Sequence, residues 1–262
     1  MRALNERYPL VLMAAAVVVF MTCAPLRASE SDDRIASAAQ ESYVFKTYLK
    51  DDAIHLQSKD GVVTLTGTVA EESHMALAED TVAGLPGVKR VDNKLAVKGE
   101  RDAKGSDAWL STKVKTTLLF HRNVSAYNTE VSAKDGHVTL RGEVTTEAQR
   151  ELTTEYAKDV EGVKTVTNEM TVSKTSKMPD ATMGEKIDDA SITALVKLTL
   201  LFHRSTSAIH TKVDTSEGIV TLGGKARNAA EKDLVTKLVT DTNGVKSVVN
   251  NMTIDESRSK NN

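Results

Sequence analysis

The 262 residues are 40% hydrophobic but only 4% aromatic, and 34 basic side chains are set against 36 acidic ones for a net charge of −2. A chain without basic excess lacks the electrostatic footprint of a nucleic-acid binder, so nucleic acid is not the expected partner. The one cysteine, Cys23, rules out an internal disulfide framework.

Residues 1–28 read as an export signal. Arg2 and Arg7 form a basic start, Pro9 to Met21 is an apolar run, and Leu26-Arg27-Ala28 offers a processing site before Ser29. An uncleaved anchor fits less well, because the run is near the lower limit for spanning a bilayer. Lipid attachment at Cys23 fits less well too, because Phe20-Met21-Thr22 departs from a lipobox. Cleavage after Ala28 removes Cys23 along with three Arg and one Glu. The mature chain then keeps 31 basic and 35 acidic side chains, net −4, with no thiol for catalysis or metal binding. Export places it in the periplasm of a Gram-negative envelope.

The rest is one unit written three times. Asp60-Gly-Val-Val-Thr-Leu-Thr-Gly returns as Asp135-Gly-His-Val-Thr-Leu-Arg-Gly and as Glu217-Gly-Ile-Val-Thr-Leu-Gly-Gly. Gly61 to Gly87, Gly136 to Gly162 and Gly218 to Gly244 are each 26 residues apart, and Phe45, Phe120 and Phe202 lie 16 residues before the first glycine. Three small modules in series follow, over 31–98, 106–173 and 188–255. Each has few large side chains and therefore a thin core.

In chain order, each module opens with a helix capped by an acidic stretch: Ser31-Asp32-Asp33, Ser106-Asp107, Asp188-Asp189. Its buried face carries Ile35, Ala39 and Tyr43, then Leu110, Val114 and Leu118, then Ile192, Val196 and Leu200. A strand follows, and an Asp-Gly or Glu-Gly turn leads into a second strand. There Val63, Leu65 and Gly67 share a face, as do Val138, Leu140, Gly142 and Val220, Leu222, Gly224. A second helix is anchored by Leu77, Leu152 and Leu234 and ends at Gly87, Gly162 and Gly244 as C-caps. A third strand carries Asn93, Asn168 and Asn250 on its apolar face. The unit is α-β-β-α-β, an α+β fold with a three-stranded mixed sheet and both helices on one face. The joint Lys174–Ile187 is longer than Gly99–Gly105 and contains Pro179 and Gly184, which predicts a freer third module. The tail from Ser257 reads as disordered.

The DG-V-TL-G hairpin and the GV-x-x-V-x-N ending, three times over, resemble the BON domain, a module of bacterial envelope and osmotic-stress proteins. The resemblance covers about 200 residues, nearly the whole mature chain. One departure stands out: module 1 has Tyr43-Val44-Phe45-Lys46 where the others read Leu-Leu-Phe-His-Arg. What the resemblance implies is association with envelope surfaces, phospholipid above all, under osmotic stress, without a reaction. Membrane phospholipid and envelope proteins are thus the expected partners. The alternative is a soluble periplasmic holdase or protein-interaction scaffold.

The residues themselves offer no catalytic set. No Gly-x-Ser-x-Gly elbow occurs, the six histidines make no HxxxH or HExxH pair, and the turn glycines do not open a helix as a phosphate loop does. Neither enzyme activity, cofactor nor metal is expected. Asn93, Asn168 and Asn250 are read as structural, bonding to the hairpin or to the loop before their strand. His121, His203 and Lys46 are read as basic groups favoured by the first helix's C-terminal dipole. Trp109 replaces the polar Arg34 and Ser191 of the other copies. The position is thereby expected near the surface, where the ring either folds over its own domain or a neighbour or serves as a lipid or partner contact.

Overall fold

A computed structural model describes residues 25–98, 106–124, 129–173, 186–206 and 210–255. The apolar run 9–21, Cys23, Pro179, Gly184 and the tail from 257 lie outside them. Module 1 comprises α1 (Pro25–Glu41), α2 (Tyr43–Thr47), β1 (Ala53–Lys59), β2 (Val62–Val69), α3 (Glu72–Ala83) and β3 (Arg90–Val97). Module 2 has α4 (Asp107–Phe120), β4 (Thr129–Lys134), β5 (His137–Val144), α5 (Glu147–Lys158), β6 (Thr165–Asn168) and β7 (Thr171–Val172). Module 3 repeats this as α6 (Asp189–Phe202), β8 (Thr211–Ser216), β9 (Ile219–Ala226), α7 (Ala229–Thr240), β10 (Ser247–Asn250) and β11 (Thr253–Ile254).

The α+β reading holds. In each sheet the second strand is central, antiparallel to the first and parallel to the third. The hairpins turn at two residues of positive φ, Asp60 (54°) and Gly61 (78°) in module 1. That geometry twists with the flanking strands. Alternation then sends Val63 and Leu65, both fully buried, towards the helices.

Several expectations are corrected. α1 starts at Pro25, upstream of the expected cap, and runs through the predicted processing site. Asp32 caps the hairpin instead, accepting from the backbone N–H of Asp60 (2.8 Å) and Gly61 (3.1 Å) and from Ser58 Oγ (2.6 Å). Ser58 first, then these amides, hold its carboxyl below the usual range. Asp189 makes the same contacts to Glu217 and Gly218 in module 3. Ser106 and Asp188 do cap their helices.

Gly87, Gly162 and Gly244 are not C-caps. The second helices end at Gly84, Asp159 and Asp241, and these glycines form the next turn, pressed against the first helix. In modules 2 and 3 the third strand is interrupted after the asparagine, so each sheet counts four strands.

The largest correction concerns independence. Modules 2 and 3 keep cores of their own, but the module 1 core takes in Phe120 of module 2 and Ala190, Ala194, Leu195 and Leu198 of module 3. The reason lies in α6. Its residues Ile192, Val196 and Leu200 face its own sheet, and Ala194, Leu195 and Leu198 make a second apolar face. A helix with two apolar faces must be covered on both, and module 1 covers the second. Lys197 adds an ion pair to Asp80 (2.8 Å), and Ser191 Oγ and Asp188 Oδ2 accept from the first N–H groups of α2. The third module is the central one, not the freest.

Candidate functional site

Besides the core that α6 shares with module 1, two places bring polar residues of different modules together. The first is a cleft of about 440 Å³ where all three meet. Module 1 supplies α3 residues Met75, Ala76 and Glu79, module 2 supplies Trp109 and Lys113 from α4, and module 3 supplies Leu201 and Phe202 at the end of α6. Trp109 is half-buried there, not exposed on a free surface. The Lys113 ammonium lies 4.7 Å from the Trp109 ring centre and 5.5 Å from that of Phe202. Such contacts favour a cation held in little water. Lys113 also donates to the backbone oxygen and carboxylate of Glu161, both at 3.2 Å. Burial depresses its pKa from the ordinary lysine value, and Glu161 offsets part of that. Leu201 remains half-exposed at the rim. The cleft therefore combines apolar and aromatic walls with one ammonium, already paired to Glu161, and with the carboxylates of Glu72 and Glu79.

The second place is the contact between modules 2 and 3, built by reciprocal use of the Leu-Leu-Phe-His-Arg ending. After α4, His121 pairs with Thr242, and after α6, His203 pairs with Val160. Arg122 N donates to Asp241 O and Asn243 N to Phe120 O; across the pair, Arg204 N donates to Asp159 O and Glu161 N to Phe202 O. The Arg122 guanidinium donates to the carbonyls of Thr240 (2.6 Å), Thr242 (3.0 Å) and Val245 (2.7 Å). Arg204 does so to Val160 and Val163. Each arginine thus donates to carbonyls at the end of the second helix of the other module or in the turn that follows it.

The histidines are not dipole-paired surface groups. His121 is 2% exposed and lies flat on Tyr156, ring centres 3.8 Å apart. Neither of its ring nitrogens has a partner. Burial drives its pKa down to about 4, against a weaker pull upward from Asp241, so the ring is neutral at pH 7. His203 is lowered for the same first reason, with Asp159 opposing. The Tyr156 hydroxyl donates to Asp241 (2.9 Å), and its pKa is raised, by burial first and Asp241 next. The space these groups enclose is about 10 Å³, the room of one water, not of a substrate.

The three asparagines hold a different element from the one expected. Asn168 Nδ2 donates to Arg150 O (2.9 Å) and Thr154 Oγ1 (2.7 Å) of α5, and its Oδ1 accepts from Met170 N (2.9 Å). Asn250 does the same with Lys232, Thr236 and Met252 on α7, and Asn93 with Met75, Glu79 and Leu95. Each clamps the second helix to the sheet, and its Oδ1 accepts from the backbone N–H two residues further along its own chain. Among the described residues no three His, Cys, Asp or Glu side chains gather as a metal site, and no helix is long and apolar enough to cross a membrane.

The two inter-module contacts escaped the sequence reading, although each left a trace. Leu195 stands where module 2 has Lys113, and Lys46 stands where the other modules have histidine. These are the places where the repeats differ, and they decide which modules touch.

Comparison with known proteins shows the family. The BON domain matches residues 31–99, 106–174 and 188–256. The chain is 29% identical over 190 residues to osmotically-inducible protein Y of Escherichia coli, covering 72% of this chain and 92% of that one. It is 30% identical over 115 residues to the outer membrane lipoprotein DolP of Haemophilus influenzae, covering 43% and 59%. Among solved structures it is similar to CdsD of the Chlamydia trachomatis type III secretion system, at 16% identity and a TM-score of 0.23 over 82% of this chain and 92% of that one. With the domain matched three times over most of its length, the chain belongs to the BON-domain family.

Proposed function

We propose that this is a non-enzymatic, exported envelope protein that engages membrane phospholipid at the cleft where its three modules meet. The observation that carries the reading is the pairing in that cleft of a buried cation, Lys113, with the apolar walls of Trp109, Phe202, Leu201 and Met75. A phospholipid offers matching parts: acyl chain for the rings, and a zwitterionic headgroup whose phosphate would share the ammonium with Glu161 while its cationic end meets Glu72 and Glu79. The names of the relatives, one osmotically inducible and one an outer membrane lipoprotein, point to the same setting. The net charge of −4 after removal of residues 1–28 argues against attraction by overall charge, so contact must be local.

Because the cleft draws on three modules, lipid binding belongs to the assembled chain and not to the separate modules acting by avidity. The test is flotation of the chain from Ser29 onward with liposomes of envelope lipid. The chain should float, and Trp109→Ala should weaken binding about tenfold without loss of fold. Failure of the chain to float with any envelope lipid removes the reading.

A holdase or scaffold is the second reading. Its support is an apolar patch on the open sheet face of module 3. Ile219 and Val249 point away from the core there and are 42% and 45% exposed. Lipid-free capture of an unfolding envelope protein, undiminished by Trp109→Ala, would favour it.

A further inference from the structure

The contact between modules 2 and 3 buries two histidines, one from each module, that the lipid reading does not use. We propose that this contact is an acid-sensitive latch, closed while His121 and His203 are uncharged and released when they take up protons.

The geometry opposes a second proton on either ring. His203 Nδ1 accepts from Ser205 N (3.1 Å), so the ring hydrogen belongs on Nε2. Charging the ring puts a hydrogen on Nδ1 and turns that bond into a clash of two donors. Nε2 lies 3.7 Å from Asp159 Oδ2, too far for a hydrogen bond to offset the change. Charging His121 places a cation against the Tyr156 ring face in a closed space, where neither ring nitrogen has a well-formed hydrogen bond and the pull of Asp241 is weaker than the cost of burial. Burying an unpaired charge is among the most costly events in a fold.

The other charged groups at the contact offset only part of this: Asp241 and Asp159 favour the charged rings, but burial outweighs them. From α5 the contact receives Tyr156 and Asp159, from the end of α7 Asp241, and from the ends of α4 and α6 Arg122 and Arg204. Asp241 already accepts from Tyr156. The arginines are cations bound to carbonyls, and Arg204 lowers the His203 pKa further. The two imidazoles also repel one another once charged.

The sign follows from the direction of both shifts. An opened contact returns the rings to an ordinary pKa near 6.5, so the open form binds more protons below that value. Closure is unaffected above about pH 7 and is lost progressively as pH falls from 6.5 towards about 4. For His121 alone the opening equilibrium rises roughly thirtyfold by pH 5. Release also frees the cleft, since Glu161 N holds Phe202 O across the contact and both residues line it. That consequence for ligand binding rests on the lipid reading, whereas the latch does not.

The experiment is hydrogen–deuterium exchange on the full chain from pH 7.5 to 4.5, with intrinsic rates divided out. Four amides donate across the contact: Arg122, Glu161, Arg204 and Asn243. Their protection should fall at least tenfold between pH 7 and 5, while amides of the β5 and β9 strands keep theirs. A His121→Phe, His203→Asn double variant preserves the stack on Tyr156 and an acceptor for Ser205 N. Its protection should stay flat. If that variant does not pair at neutral pH, the wild-type imidazole titrations decide: both rings should titrate below their ordinary value, in step with the loss of protection. Protection indifferent to pH, a fall equal in the paired double variant, or rings titrating near 6.5 within a closed contact would each overturn the latch.

Discussion

Single residues in this chain do two kinds of work, and adjacent glycines separate them. Gly224 sits at φ 103°, and a Cβ there would lie 1.9 Å from His210 O. Its neighbour Gly223 has no positive φ, and a Cβ there would meet Lys212 Cβ at 3.8 Å, ordinary contact. Gly224→Ala should therefore destabilise the chain by roughly 2–4 kcal/mol, and Gly223→Ala by less than about 0.5 kcal/mol. Urea denaturation of the two variants measures both. Equal midpoints would mean that the strand relaxes around the added methyl. The asparagines do structural work of another kind. Their recurrence at one register was legible, and so was their need for partners. That the partners are helical carbonyls was not, because the distance from strand to second helix is a property of packing.

At the level of elements, identical endings act between modules rather than within them. The basic residue after the first helix reads in sequence as a response to that helix's own dipole. In the fold the arginine beside it reaches the carbonyls after another module's second helix. Arg122→Ala removes three charge-assisted hydrogen bonds and should cost about 1–3 kcal/mol. Arg204→Ala removes two longer ones and should cost less. Denaturation at pH 7.5 ranks them, and a larger loss from Arg204→Ala would show that hydrogen bonding does not set the order. Module 1 lacks the His-Arg pair and takes no part in this exchange. Its Tyr48 instead packs edge-on against Phe120, and α2 is tied to the start of α6.

For the whole molecule the consequence is a three-module body organised around α6. Burial of Leu195 and Leu198 contributes on the order of 1.5–3 kcal/mol each, and both belong to the core shared with module 1. The third module alone, residues 188–255, should thus expose an apolar helix face and self-associate, which sedimentation velocity would reveal. Leu195→Lys, which installs the residue module 2 carries at that place, should render the isolated module monomeric. In the full chain the same change should destabilise by about 3 kcal/mol or more, because a lysine cannot be buried against module 1 without a partner. A monomeric wild-type module, together with an unaffected Leu195→Lys chain, would return the molecule to three independent beads.

The sequence by itself determined the module, its α-β-β-α-β order, the hairpin turns and the family. These depend on local rules: alternation along strands, helical spacing of apolar residues, and turn residues at a fixed register. It also showed where one copy departs from the others, at Trp109 and Lys46, without showing what those departures meet. Only the tertiary structure decided that Trp109 lines a cleft shared by three modules, that His121 and His203 are buried and neutral, and that the module after the longest joint is the central one. Contacts between modules arise from whole faces brought together. A face has no linear signature until its partner is known, and a linker's length bounds how far a module can stray without saying whether it has anything to bind.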